Sequence, residues 1–185
     1  MPAIISMLRG VNVGPHNRMK MDALRAVYQS LKLGDVRTYV QSGNVVFRSD
    51  EKDLAKLGRR IEDAIERTFG FRPAVILRTT AEMREAVARN PFAGRGDIEP
   101  DRLLVTFLSA APAPEALAKV LQIKAEPEEL RIAGREVYIY YRNGLARPKL
   151  SWIQIAEMLG TQGTGRNWNS VTKLLEMAEV LEGSA

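Results

Sequence analysis

The sequence predicts an α+β fold of two ferredoxin-like subdomains of β-α-β-β-α-β type, the second with its last strand replaced by a helix. Three observations carry that expectation. Short apolar or alternating runs of strand length interleave with longer runs of helical apolar spacing. Most of these segments carry their own start or stop signal, a capping side chain or a glycine. The order strand, helix, strand, strand, helix, strand over residues 1–79 returns, without its final strand, over residues 102–185.

Residues 3–8 are apolar apart from Ser6, as in a strand buried on both faces. Leu24, Val27, Tyr28 and Leu31 recur at helical spacing, with Gly34 as the expected stop. Residues 36–41 alternate, Ser42-Gly43-Asn44 is turn chemistry, and residues 45–48 resume, which together make a hairpin. Asp50 is the expected cap of a second helix with Leu54, Leu57, Ile61, Ile65 and Phe69 on one face and Gly70 as its stop. Residues 73–79 complete the first subdomain as its fourth strand.

Thr79 and Glu82 have the spacing of a capping box, opening a helix that ends at Asn90-Pro91. Residues 80–101 are therefore read as a helix and connector. The second α+β subdomain, residues 102–185, begins with a strand at 103–108, a helix at 114–123 and a hairpin at 129–141 turning on Gly134-Arg135. Ser151 and Gln154 repeat the capping-box spacing before a helix that stops at Gly160. Val171, Leu174, Leu175, Ala178 and Leu181 line the face of a final helix.

Composition narrows the chemistry. A chain of 185 residues buries roughly 70% of its unfolded surface and needs no covalent staple. Cysteine is absent, which excludes disulfides, thiolate nucleophiles and cysteine-bound zinc. No segment has the length or apolarity of a membrane helix, and the first residues lack a signal-peptide pattern, so a cytoplasmic protein is expected. Lys and Arg number 27 against 22 Asp and Glu, a formal charge of +5. That excess favours anionic partners only modestly.

Three polar segments are candidates for function. Arg9-Gly10-Val11-Asn12-Val13-Gly14 follows the first strand, where glycines allow positive φ and N–H groups can turn toward an anion. It matches neither the P-loop nor the dinucleotide fingerprint. Gln41-Ser42-Gly43-Asn44 forms the hairpin tip. In a β-α-β-β-α-β sheet the first two strands run the same way, so both segments, with Arg18 and Lys20 nearby, are expected at one sheet edge. The third segment, residues 164–170, contains Arg166, Asn167 and Asn169 and is read as a loop entering the last helix. All three are expected to share one electropositive pocket. None contains Asp or Glu, so paired-carboxylate catalysis and hard-metal binding have no home in them. His16, the single histidine, is a solvated loop residue, a base or a phosphate contact. Tyr138 and Tyr140 share one strand face, suited to packing between subdomains or to base stacking.

Taken together, Leu8–Gly14, Lys20-Met21, Tyr39–Phe47, Asn90-Pro91-Phe92 and Arg166–Leu174 resemble the bacterial family catalogued as domain of unknown function 1697. The resemblance implies an α+β fold with two related subdomains and no established activity. It also implies that the family's hallmark blocks fall on the three polar segments. The family's first loop usually continues Gly-Gly, whereas Pro15 follows Gly14 here and removes one N–H donor.

The expected function is therefore binding of a small anionic ligand, nucleotide-like or phosphorylated. Arg9, Lys20 and Arg166 would supply charge, and the backbone at Gly10, Gly14 and Gly43 would supply N–H donors. Asn12, Gln41, Ser42, Asn44, Asn167 and Asn169 would supply polar contacts. Nucleic-acid binding and a ligand-free interaction or dimer module are the alternatives. No catalytic constellation, metal set or cofactor motif is visible.

Overall fold

The computed structural model describes residues 1–184. The chain divides into two compact units, one comprising Met1–Arg84 and the chain from Lys173 onward, the other Glu85–Thr172. The first contains β1 (Ala3–Leu8), α1 (Met21–Ser30), β2 (Gly34–Tyr39), β3 (Asn44–Arg48), α2 (Leu54–Phe69) and β4 (Val75–Thr79), and α3 (Thr80–Ala88) follows. Its sheet has the order β2-β3-β1-β4, with every neighbouring pair antiparallel.

One sheet face carries Ile4, Leu8, Val45, Phe47 and Leu77 into a core with Leu24 and Tyr28 of α1 and Leu57, Ile61 and Ile65 of α2. Each such side chain, fully buried, contributes about 1.5–3 kcal/mol. Tyr28 is wholly buried, and burial pushes its hydroxyl above the usual tyrosine range. It is kept satisfied by a 2.7 Å hydrogen bond with the Ser6 hydroxyl, which explains the one polar residue in an apolar strand.

Two start and stop signals differ from expectation in detail. The α2 cap is Asp53, whose carboxylate accepts from Lys56 N at 2.9 Å, while Asp50 pairs with the N-terminal amine at 3.2 Å. Helix α1 stops before Gly34: Lys32 takes the left-handed conformation (φ 62°) and Gly34 opens β2. The Thr79–Glu82 capping box forms as expected, with Thr79 N donating to Glu82 Oε2 at 2.8 Å and Glu82 N to Thr79 Oγ1 at 3.1 Å.

The second unit contains β5 (Leu103–Leu108), α4 (Pro114–Leu121), β6 (Glu129–Ala133), β7 (Glu136–Tyr140), α5 (Trp152–Met158) and β8 (Gly163–Asn167), which leads into α6 (Trp168–Gly183). The sheet order is β6-β7-β5-β8. The expectation that a helix replaces the last strand is thus corrected: β8 is present, antiparallel to β5, and α6 comes after it. The glycines that made this stretch read as a loop sit where the strand lies against large β5 side chains. A Cβ on Gly163 would meet Thr106 Cγ2 at 2.9 Å, and one on Gly165 would meet Leu104 Cδ2 at 3.2 Å.

The two units follow one plan down to single residues. Arg78 of β4 pairs with Ile5 of β1, and Arg166 of β8 pairs with Val105 of β5. Each arginine is buried and each precedes a residue that caps the next helix, Thr79 or Asn167. Leu8 N donates to Gly43 O at 3.0 Å, and Leu108 N donates to Arg135 O at 2.8 Å. The units differ in loop length at several connections, most of all at one. Between β5 and α4 the chain needs only residues 109–113, whereas between β1 and α1 it uses residues 9–20. The fold can close with less than half of that longer loop.

Candidate functional site

The long β1–α1 loop is a built structure. Gly10 (φ 68°) and Gly14 (φ 60°) take conformations open to glycine, and no atom lies within 4 Å of a Cβ placed on either. Asn12 N donates to Asn17 O at 3.0 Å, Val13 bridges to His16, and Asn17 Nδ2 donates to Gly10 O at 3.2 Å. A small hairpin results, with His16 exposed at its end. Pro15 sits inside that tight turn.

Asn12 ties this loop to the β2–β3 turn. Its Nδ2 donates to Met19 O at 3.0 Å and to Gln41 O at 2.8 Å, and its Oδ1 accepts from Met19 N at 2.8 Å. The first two polar segments therefore meet at one edge, as strand direction requires. Both N–H groups of Asn12 are used internally, so it positions the loops. Asn44 is likewise architectural: it is buried and donates to Tyr39 O at 3.2 Å. Gly43 is buried with φ 75°, and a Cβ there would meet Val11 Cγ2 at 2.6 Å. Gln41 and Ser42 are exposed, and Arg9 is half-buried.

A cavity of about 530 Å³ opens at this junction, lined by Asn12, Arg18, Met19, Lys20 and Gln41. Arg18 and Lys20 are exposed, and among the described residues neither side chain has a hydrogen-bond or ion-pair partner. Lys20 is also the N-cap residue of α1, a position where side-chain acceptors are favoured, and no side chain caps this helix. The first-turn carboxylate, Asp22, is engaged by Arg25 at 3.3 Å. Two free cations thus stand at the positive end of a helix dipole, an arrangement that disfavours itself by about 0.3–1 kcal/mol per charge.

The third polar segment lies in the second unit and is not a loop. Arg166 and Asn167 belong to β8, and Asn169 lies in the first turn of α6. Arg166 is buried; it donates to Thr164 Oγ1 at 2.7 Å and to Gly165 O at 2.8 Å, and burial pushes its guanidinium down to about 10. Asn167 Oδ1 accepts from Ser170 N at 2.9 Å and so caps α6. Asn169 is exposed.

The family model described as "Protein of unknown function (DUF1697)" matches residues 1–138. The chain belongs to the DUF1697 family. Its fold recurs in the conserved bacterial protein SP0830 from Streptococcus pneumoniae, with a TM-score of 0.73 over 95% of this chain and 98% of that one, at 20% identity. No curated protein matches the sequence. The matched span of this DUF1697 protein includes the whole β1–α1 loop and the β2–β3 turn.

Arg18 and Met19 line the cavity but were not among the expected ligand contacts, although Arg18 was expected near this edge. Their signal was the length of the loop that holds them. The paired tyrosines of the DUF1697 protein are not a stacking surface. Both are buried, Tyr138 donating to Ala86 O at 2.5 Å and Tyr140 to Asp97 O at 3.0 Å, with Phe92 against the Tyr140 ring at 6.2 Å. Among the described residues no group of three or more His, Asp or Glu side chains is placed to hold a metal, and no helix is long and apolar enough to cross a membrane.

Proposed function

We propose that the first unit binds a small anionic ligand, nucleotide-like or phosphorylated, in the cavity between the β1–α1 loop and the β2–β3 turn. The observation that carries this reading is the pair of unpartnered cations, Arg18 and Lys20, at the uncapped N-terminus of α1. An anion there relieves the repulsion between both charges and the helix dipole, and accepts from first-turn N–H groups that no side chain satisfies.

In this reading Arg9 adds charge, and the backbone near Gly10 and Gly14 adds donors. Gln41 and Ser42 supply polar contacts. Asn12, Gly43 and Asn44 hold the geometry. Arg166, Asn167 and Asn169 stay with the scaffold of the second unit.

Thermal unfolding of the full chain in inorganic phosphate, pyrophosphate and a nucleoside diphosphate tests the proposal. At a ligand concentration one hundred times Kd, stabilisation is about 2.7 kcal/mol. Arg18→Ala and Lys20→Ala should each remove most of it. Stabilisation by none of the three probes, or stabilisation that survives both substitutions, overturns the reading. A single-stranded oligonucleotide held by these two cations would show a salt slope of only about −1.4.

A further inference from the structure

The cavity beside Arg18 and Lys20 is larger than an inorganic anion needs. Its volume of about 530 Å³ falls among small-molecule pockets, roughly 300–1,000 Å³. The two cations supply all the charge of its wall, and the other lining residues are Asn12, Met19 and Gln41. Asn12 has no donor to spare, because its Nδ2 already serves two backbone carbonyls. Its side chain also fixes Met19 by both backbone groups, N–H and C=O, so this apolar part of the wall is held in place. The Gln41 side chain is exposed, and among the described residues its amide has no hydrogen-bond partner.

Two valines stand next to these residues in the chain. Val13 follows Asn12 and is 66% exposed; Val40 precedes Gln41 and is 49% exposed. Polar residues are the usual occupants of such turns. Val40 also has φ 50°, an outlier for a β-branched residue. Asparagine or glycine would fold there with less strain, and Val40 is not among the side chains packed on the first core. Strain of this kind concentrates at ligand clamps. Folding gives no reason for a valine at this position, whereas an apolar contact outside the chain does.

These features choose among phosphorylated compounds. A phosphorylated sugar carries several hydroxyls, and the wall offers them one uncommitted amide. A heteroaromatic ring has an apolar face and a polar edge, which suits a thioether residue, aliphatic side chains and a single amide that both donates and accepts. We propose, resting on the anion site described above, that the ligand is a nucleoside phosphate. Its phosphates lie at Arg18 and Lys20, its base packs against Met19, Val13 and Val40, and the Gln41 amide meets the edge of the base.

Isothermal titration calorimetry of the full-length protein with adenosine diphosphate, uridine diphosphate and pyrophosphate separates the two parts of the site. At least one nucleotide should bind about tenfold or more tightly than pyrophosphate, which carries similar charge without a base. Val40→Asn should raise the urea midpoint of unfolding, because asparagine accepts positive φ. It should also weaken the tighter nucleotide about fivefold more than it weakens pyrophosphate. Val13→Ser, at an exposed position, should show the same selective loss. Binding of none of the three probes overturns this proposal together with the anion site. Pyrophosphate bound as tightly as both nucleotides overturns the base contact alone. Nucleotide affinity unchanged in both variants, or a lower urea midpoint for Val40→Asn, overturns it as well.

Discussion

Replacing Gly43 with alanine separates two costs that are usually confounded. The backbone there has φ 75°, and a side chain in this conformation costs about 1–2 kcal/mol. The added Cβ would also stand 2.6 Å from Val11 Cγ2 and 2.8 Å from Leu8 Cβ. Neither neighbour yields easily. Val11 is stiff at χ1, and Leu8 Cβ is fixed to a strand whose N–H donates to Gly43 O at 3.0 Å. Overpacking of this kind costs about 1–3 kcal/mol, so Gly43→Ala should lose roughly 2–5 kcal/mol. Gly10→Ala is the matched control. Its φ is 68° and no atom lies within 4 Å of a new Cβ, so only the backbone cost of about 1–2 kcal/mol applies. Urea unfolding followed by circular dichroism, compared at unchanged m-value, measures both. If Gly43→Ala is no more destabilising than Gly10→Ala, the claim that Gly43 closes the sheet edge onto the β1–α1 loop is refuted.

Two further predictions concern polar contacts. Asn12→Gly keeps the positive φ accessible but deletes the amide that joins the loops, and should cost roughly 1–3 kcal/mol. Its specific signature is faster hydrogen exchange at the Met19 amide, which loses its acceptor; unchanged exchange there counts against the tether. Arg95 donates to Asp97 and Glu129 and holds both carboxyls below their ordinary values of 3.8 and 4.5. A folded pKa below the unfolded one gives stability that is complete above the unfolded value and is lost as pH falls through the folded one. Arg95→Ala should therefore flatten the loss of stability below about pH 4 and leave a smaller salt dependence. An acid limb of unaltered slope would contradict that assignment.

Much of the fold was legible because its local signals agree with its tertiary demands. The five apolar residues at helical spacing in α2 all pack against the first core, and Gly70 ends that helix at φ 79°. The sheet edge was legible for a different reason: strand direction alone brings residues 9–14 beside residues 41–44. What the sequence did not disclose was which polar side chains face outward. Asn12 and Asn44 have the chemistry of ligand contacts, yet their side-chain N–H groups donate to backbone carbonyls of their own unit. Arg18 has the chemistry of any surface cation. It gains meaning only from the cavity and the uncapped helix beside it.

The misreading of β8 has a single physical root, which is that glycine answers two unrelated needs. At Gly10 and Gly14 it supplies a backbone angle and nothing crowds the missing side chain. At Gly163 and Gly165 the backbone is extended within a strand, and what matters is the missing Cβ, since Thr106, Leu108 and Leu104 fill its place. A string of letters cannot separate these cases, and Gly-Thr-Gly-Arg-Asn is read by habit as a turn. The separating fact is the partner strand: Leu104, Thr106 and Leu108 alternate along β5 on one face, toward an edge strand that meets them with Gly163 and Gly165 at every second position. Alternation of bulk on one strand against glycines of the same period on another is a pairing signal, and it identifies β8 as the counterpart of β4. Gly43 meets both needs at once, positive φ and absent Cβ, and is for that reason the glycine of this chain least able to be replaced.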